Sequence, residues 1–211
     1  MIWLLILAEV ILFTIGIDAL NKYDEKAGIQ VSLKEYVTIG LILAMTEIVL
    51  FSFYGYGGEF GCHSLILFYL IVAAYIDYKT KKVYRIGSIA FIAVSITLFV
   101  LSLGPIMFTR VEKSICIFVF TVIVILKGIA KMMGWGDVLT YIGVFFWIGS
   151  WKYEYLTVEL LAVYMLLANV LFLIFNIRKF AWESKMMTEE TAYLPAMAVA
   201  IGIMLLGVSI G

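Results

Sequence analysis

Apolar residues in this chain come in runs of about twenty, broken by short segments where the charges collect. A helix rises 1.5 Å per residue, so roughly 20 residues cross a hydrocarbon core. Eight stretches reach that length, near residues 1–20, 36–54, 62–78, 85–103, 111–129, 133–151, 156–176 and 192–210. None shows the ten-residue alternation of a membrane strand, and an isolated strand in lipid would leave its backbone groups unpaired. The pattern predicts an all-α integral membrane protein, a polytopic bundle of about eight transmembrane helices. Pro105 is expected in a loop. Pro195 is expected in the first turns of the last helix, where a missing N–H does least damage.

Composition narrows the class. The chain has 211 residues, 64% of them hydrophobic and 14% charged, with a mean hydropathy of +1.09. Soluble domains carry about 25% charged residues, so a soluble fold is excluded and residues 1–211 read as a single membrane domain in a lipid bilayer. The formal net charge is zero, which leaves nothing basic enough to hold a nucleic acid. Residues 1–20 lack a basic leading segment and a small-residue cleavage site, so a retained first helix is expected there rather than a signal peptide.

The charges are nonetheless asymmetric. With the first residue outside, the inner loops hold Lys22, Lys26, Lys34, Lys79, Lys81, Lys82, Arg85, Lys127, Lys131, Arg178, Lys179 and Lys185. Only Arg110, Lys113 and Lys152 then lie outside. Cytoplasmic loops collect Lys and Arg, so both termini are expected outside. Aromatic residues cluster at Phe51–Tyr56 and Phe145–Tyr155 and are expected to form outer interface belts.

Two carboxylates stand out against this background. Asp77 ends the apolar stretch Ile71-Val72-Ala73-Ala74-Tyr75-Ile76-Asp77, and Asp137 ends the tetrapeptide Gly134-Trp135-Gly136-Asp137 at the start of another. A carboxylate inside a membrane segment costs roughly 3 kcal/mol on insertion scales. Both fall on the expected cytoplasmic side. His63 to Asp77 and Asp137 to Trp151 each span 14 residues, about 21 Å of helix, so the two acids are expected at one depth. Carboxyls sharing a proton and a water are the machinery of aspartyl proteolysis, because like charges a few ångströms apart cannot both ionise. Gly134 and Gly136 remove side chains beside Asp137, permit unusual backbone angles and admit a substrate backbone or the partner aspartate. The plainer alternative is that acids at helix ends are merely interfacial.

The remaining polar residues point to less. Cys62 and Cys116 form no CxxC pair and His63 is alone, so no metal is expected, nor any cofactor. His63 reads as an interfacial polar residue, as do Asp18 and Glu159. Glu9 and Glu47 lie at similar depth toward the outer side. They read as protonated or hydrogen-bonded packing groups, the alternative being a proton or ion path, which would make the chain a transporter. Broken inverted repeats of the transporter kind are not evident. A third class is a non-catalytic assembly factor of a pilus or secretion machine.

The segment Met133-Gly134-Trp135-Gly136-Asp137-Val138 resembles the GxGD signature of the type IV prepilin and preflagellin peptidases. Ile76-Asp77-Tyr78-Lys79-Thr80-Lys81-Lys82-Val83 resembles that family's first motif, an aspartate followed by a short basic loop. Tyr193-Leu194-Pro195-Ala196-Met197-Ala198 resembles its final proline-containing helix. The resemblance covers residues 62–210 as a peptidase core, with residues 1–54 as two additional N-terminal helices. It implies a membrane aspartyl endopeptidase of a prokaryotic plasma membrane, with Asp77 and Asp137 catalytic and no cofactor. Its substrate would be a prepilin or pilin-like precursor, cut on the cytoplasmic side. Val83-Tyr84-Arg85 stands where the family often has Ile-Pro-Asn, and Leu139 where it often has Lys. Long members carry a cytoplasmic methyltransferase domain with CxxC pairs after the first helix. Here that loop is about residues 21–35, without cysteine, so cleavage without methylation is implied. The presenilin-type GxGD proteases fit less well, since they place the two aspartates on consecutive helices.

Overall fold

The computed structural model of the chain describes residues 2–24, 28–102, 107–151, 157–182 and 192–210. These residues form eight α-helices: α1 Ile2–Tyr23, α2 Leu33–Tyr54, α3 Gly58–Thr80, α4 Arg85–Ser102, α5 Met107–Ile129, α6 Trp135–Gly149, α7 Thr157–Trp182 and α8 Leu194–Ile210. Each coincides with one of the apolar stretches. Five of them, α1, α2, α3, α4 and α7, are long and apolar enough to cross a membrane, so the chain is a helical membrane protein. Pro195 lies in the first turn of α8. Pro105, Lys26, Lys152 and Lys185 fall outside the described residues.

The helices group into two compact units, Met1–Thr80 and Lys81–Gly211. In the first unit, α1, α2 and α3 close on Phe13, Ile17, Ile29, Ile39 and Leu43, with Phe68, Ile71, Val72, Tyr75 and Ile76 of α3 packed against them. The α1–α2 turn is pinned by Asn21, whose amide bonds both the N–H and the carbonyl of Ile29, at 2.9 and 3.0 Å. Ser32 and Glu35 form a capping box at the start of α2, which satisfies backbone donors the first turn would leave unpaired. Glu35 also forms an ion pair with Lys79 in the last turn of α3. Lys22, Lys79 and Lys127 lie in the last turns of α1, α3 and α5. There they complement the helix dipole as well as the expected inner face.

In the second unit α6 is the central helix. It is 15 residues long and buried on nearly all sides, which is the condition of an apolar helix with no polar face. At about 22 Å it is shorter than a bilayer core. Its glycines set its fit against α4. A Cβ on Gly136 would overlap Val83 Cβ, one on Gly143 would meet Phe91 at 2.5 Å, and one on Gly149 would lie 3.2 Å from Phe99. These contacts advance together along both helices, so α4 and α6 run parallel. Contacts of α5 run the other way, with Ile117 at Gly149 and Val138 at Gly128. The chain therefore goes up, down and up through α4, α5 and α6.

One expectation changes here. Phe145 and Trp147 are fully buried rather than part of an interface belt. Phe145 packs edge-on against Phe120 and Tyr164 because α5 and α7 surround α6; Tyr153 and Tyr155 lie outside the described residues. His63 is buried, its ring 4.6 Å from that of Tyr54. Phe51, Tyr56 and Phe60 do form an aromatic cluster at the α2–α3 turn, with Tyr56 half exposed.

Candidate active site

Asp77 lies in the last turn of α3, in the first unit, and is 3% exposed. It continues the buried stripe of Ile66, Leu70 and Ala74, so its side chain leaves the helix on the buried face. The turn that carries it is held on both sides. Thr80 Oγ1 donates to Ile76 O at 2.8 Å. Two residues past Asp77, Lys79 forms its ion pair with Glu35 and lies 5.7 Å from the centre of the Tyr75 ring. Lys81 then ends the helix with φ 55, a left-handed conformation that turns the chain toward Lys82 and Val83.

Asp137 lies in the first turn of α6, in the second unit, and is 8% exposed. The Gly134 N–H donates to Asp137 Oδ2 at 3.2 Å. The carboxylate thus satisfies one of the donors that every helix start leaves open. This is a structural role for Asp137, compatible with chemistry at the same group. Gly134 has φ −70 and ψ 151, ordinary extended backbone, and Gly136 is helical. The expectation that these glycines supply unusual backbone angles is therefore corrected: they supply space. A Cβ on Gly134 would come within 3.2 Å of Asp137 Oδ2, and the space beside Gly136 is filled by Val83.

Several residues around Asp137 escaped the sequence reading. Thr140 Oγ1 donates to Gly136 O at 3.0 Å and lies 3.3 Å from Ser88 Oγ of α4. Tyr141 follows Asp137 by one helical turn and is fully buried. Its hydroxyl is 3.1 Å from that of Tyr193, which donates to Asn169 Oδ1 at 2.8 Å. Lys127 Nζ donates to the same oxygen at 3.3 Å. One polar chain therefore joins α5, α6, α7 and the entrance to α8. The four-residue spacing of Asp137 and Tyr141 was the available signal for it.

Among the described residues no three His, Cys, Asp or Glu side chains gather where they could hold a metal ion. Cys62 and Cys116 are free thiols. No family model, curated protein or solved structure matches this chain.

Proposed function

We propose that this chain is a membrane-embedded aspartyl endopeptidase that removes the short basic leader from type IV prepilin or pilin-like precursors at the cytoplasmic face of a prokaryotic plasma membrane. Both termini lie outside, and all eight helices take part in the membrane bundle. Asp77 and Asp137 share one proton. The ionised carboxylate takes a proton from water, whose oxygen bonds to the peptide carbonyl carbon. The protonated partner donates to the carbonyl oxygen. When the C–N bond breaks, the leaving amine takes a proton from the carboxyl that accepted it from water. A hydroxyl of the tetrahedral intermediate gives its proton back to the other carboxylate as the new carboxyl forms, and the pair again holds one proton. An apolar helix behind the leader can lie in the bilayer, which holds the cut site at the inner interface.

The observation that carries this reading is the seating of Val83 on Gly136. Val83 follows Asp77 by six residues and Gly136 precedes Asp137. One residue of the short segment that follows the first aspartate in sequence, Val83, is thus packed on the motif that holds the second. Burial of both carboxyls supports it, since a low-dielectric site strengthens a shared-proton pair.

The test is cleavage of a prepilin-like substrate by purified protein in lipid. Asp77→Asn and Asp137→Asn should each lower kcat by on the order of 10²–10⁴-fold, because an amide can neither hold nor share the proton. Asparagine keeps an oxygen for the Gly134 N–H, so the start of α6 survives. Asp18, which is exposed, serves as the control: Asp18→Asn should cleave normally. Full activity in either folded mutant would remove the dyad.

A further inference from the structure

Glu9 of α1 and Glu47 of α2 are 4% and 1% exposed. The structure brings them together: their carboxyls are neighbours, and Ser64 Oγ of α3 donates to Glu9 Oε1 at 3.3 Å. The donors then run out. Glu9 Oε2 and Glu47 Oε2 are buried with no hydrogen-bond partner among the described residues. Neither acid makes an ion pair among the described residues. Acids at such depth in a membrane segment mark a site by default, with a partner to be named.

Glu9 and Ser64 line a groove of about 520 Å³ between α1 and the start of α3. Leu5, Leu12, Phe60 and Phe68 wall it, and none of its lining residues is basic. Ala8 and Gly61 keep it low-walled, and a Cβ built on Gly61 would meet nothing within 4 Å. Small residues of this kind let the backbone of a second helix come close in lipid. The groove does not face the candidate dyad. Asp77 is nine residues beyond Phe68, about two and a half turns, and so leaves α3 on the opposite face. An occupant of the groove would leave that face open.

We propose that this groove is the docking site for a transmembrane helix of a partner protein that carries a Lys or Arg within its apolar segment, the cation meeting the Glu9–Glu47 pair. Charge complementarity selects this occupant over lipid. An open, apolar groove lined by Glu9, with Glu47 behind it and an unanswered oxygen on each acid, fits a helix whose single cation is equally costly to leave alone in lipid. The cation supplies the missing donors, and the small residues admit the helix that carries it.

The probe is a synthetic apolar helix of about 20 residues with one Lys a third of the way along, compared with the same helix with Leu there. Full-length protein in phosphatidylcholine vesicles carries a donor dye and the peptide an acceptor, and energy transfer is titrated against the peptide-to-lipid ratio. The Lys helix should associate roughly tenfold more tightly than the Leu helix. Glu9→Gln should remove that preference. Gly61→Leu should block association of both peptides. Gly61 has open space, so the leucine does not disturb the fold. Gly207 is exposed on α8 and also open, and Gly207→Leu should change nothing. Equal association of the two peptides, or full association with Gly61→Leu, would overturn the proposal. So would displacement of the Lys helix by dodecylamine at equal concentration, since that would assign the site to small amphiphilic amines.

Discussion

At the residue scale Asp137 does two things that a single substitution can separate. Its Oδ2 accepts the Gly134 N–H at 3.2 Å, which is worth about 0.5–2 kcal/mol for a group of this kind at a helix start. Its acidity is a separate property. Asp137→Asn keeps an acceptor, whereas Asp137→Ala leaves the Gly134 N–H without it. Thermal unfolding in detergent should place the alanine variant below the asparagine variant by about 1 kcal/mol, with cleavage by both slowed to the same low level. Equal stability of the two would show that the bond contributes nothing. Gly136 gives a sharper case, because its missing side chain is where Val83 sits. Gly136→Ala should destabilise by about 1–3 kcal/mol, the range for overpacking a fitted contact. Val83→Gly in the same chain should recover part of that loss, because it removes the atoms that collide. No recovery in the double variant would mean that the alanine harms the helix for another reason.

At the element scale, two basic turns end in strained backbone. Lys131 has φ 56. Its N–H bonds Gly128 O at 3.0 Å, and the Met132 N–H bonds Lys127 O at 2.9 Å, the paired bonds of a left-handed helix stop usually built with glycine. A non-glycine residue there costs roughly 1 kcal/mol. Lys131→Gly should therefore raise the unfolding midpoint slightly or leave it unchanged, while Lys131→Val should lower it, since a branched Cβ tolerates this conformation worst. A lower midpoint for the glycine variant would refute the assignment. These stops were not legible in the sequence, because lysine carries no turn signal. The helices themselves were, since twenty apolar residues in a row admit one solution in lipid. The exception was the end of α7. It runs on through residues 177–182 to Trp182, past the point where the apolar run stops. Asp77 and Asp137 were legible as acids in apolar stretches. The roles of Val83 and of the Tyr141–Tyr193–Asn169 chain were not, since they depend on how α4, α7 and α8 meet α6. Phe145 and Trp147 were misplaced because an aromatic near a helix end looks the same whether lipid or protein surrounds it. The unbroken apolar character of α6 on every face was the sign that protein does.

At the scale of the whole molecule, the reading turns on which face of the membrane carries the basic loops. Lys and Arg gather at the C-terminal ends of the odd-numbered helices and the starts of the even ones, and the parallel course of α4 and α6 agrees with helices alternating across the bilayer. If the positive-inside bias sets orientation, residues 79–85 face the cytoplasm and the turn before α3 faces outward. Single cysteines can decide this, in a background where Cys62 and Cys116 are alanine. Lys82 is the better inner position, because it is exposed and lacks the left-handed backbone that makes Lys81 a poor host for cysteine. Gly58 suits the outer position, since a Cβ there meets nothing within 4 Å. In intact cells an impermeant maleimide should label Gly58→Cys and spare Lys82→Cys, and permeabilised cells should label both. Labelling of Lys82→Cys alone in intact cells would put Asp77 and the basic loop on the outer face. A prepilin-like leader, held in the cytoplasm by its own positive charge, could not reach them there, and the proposed peptidase function would have to be abandoned together with the topology.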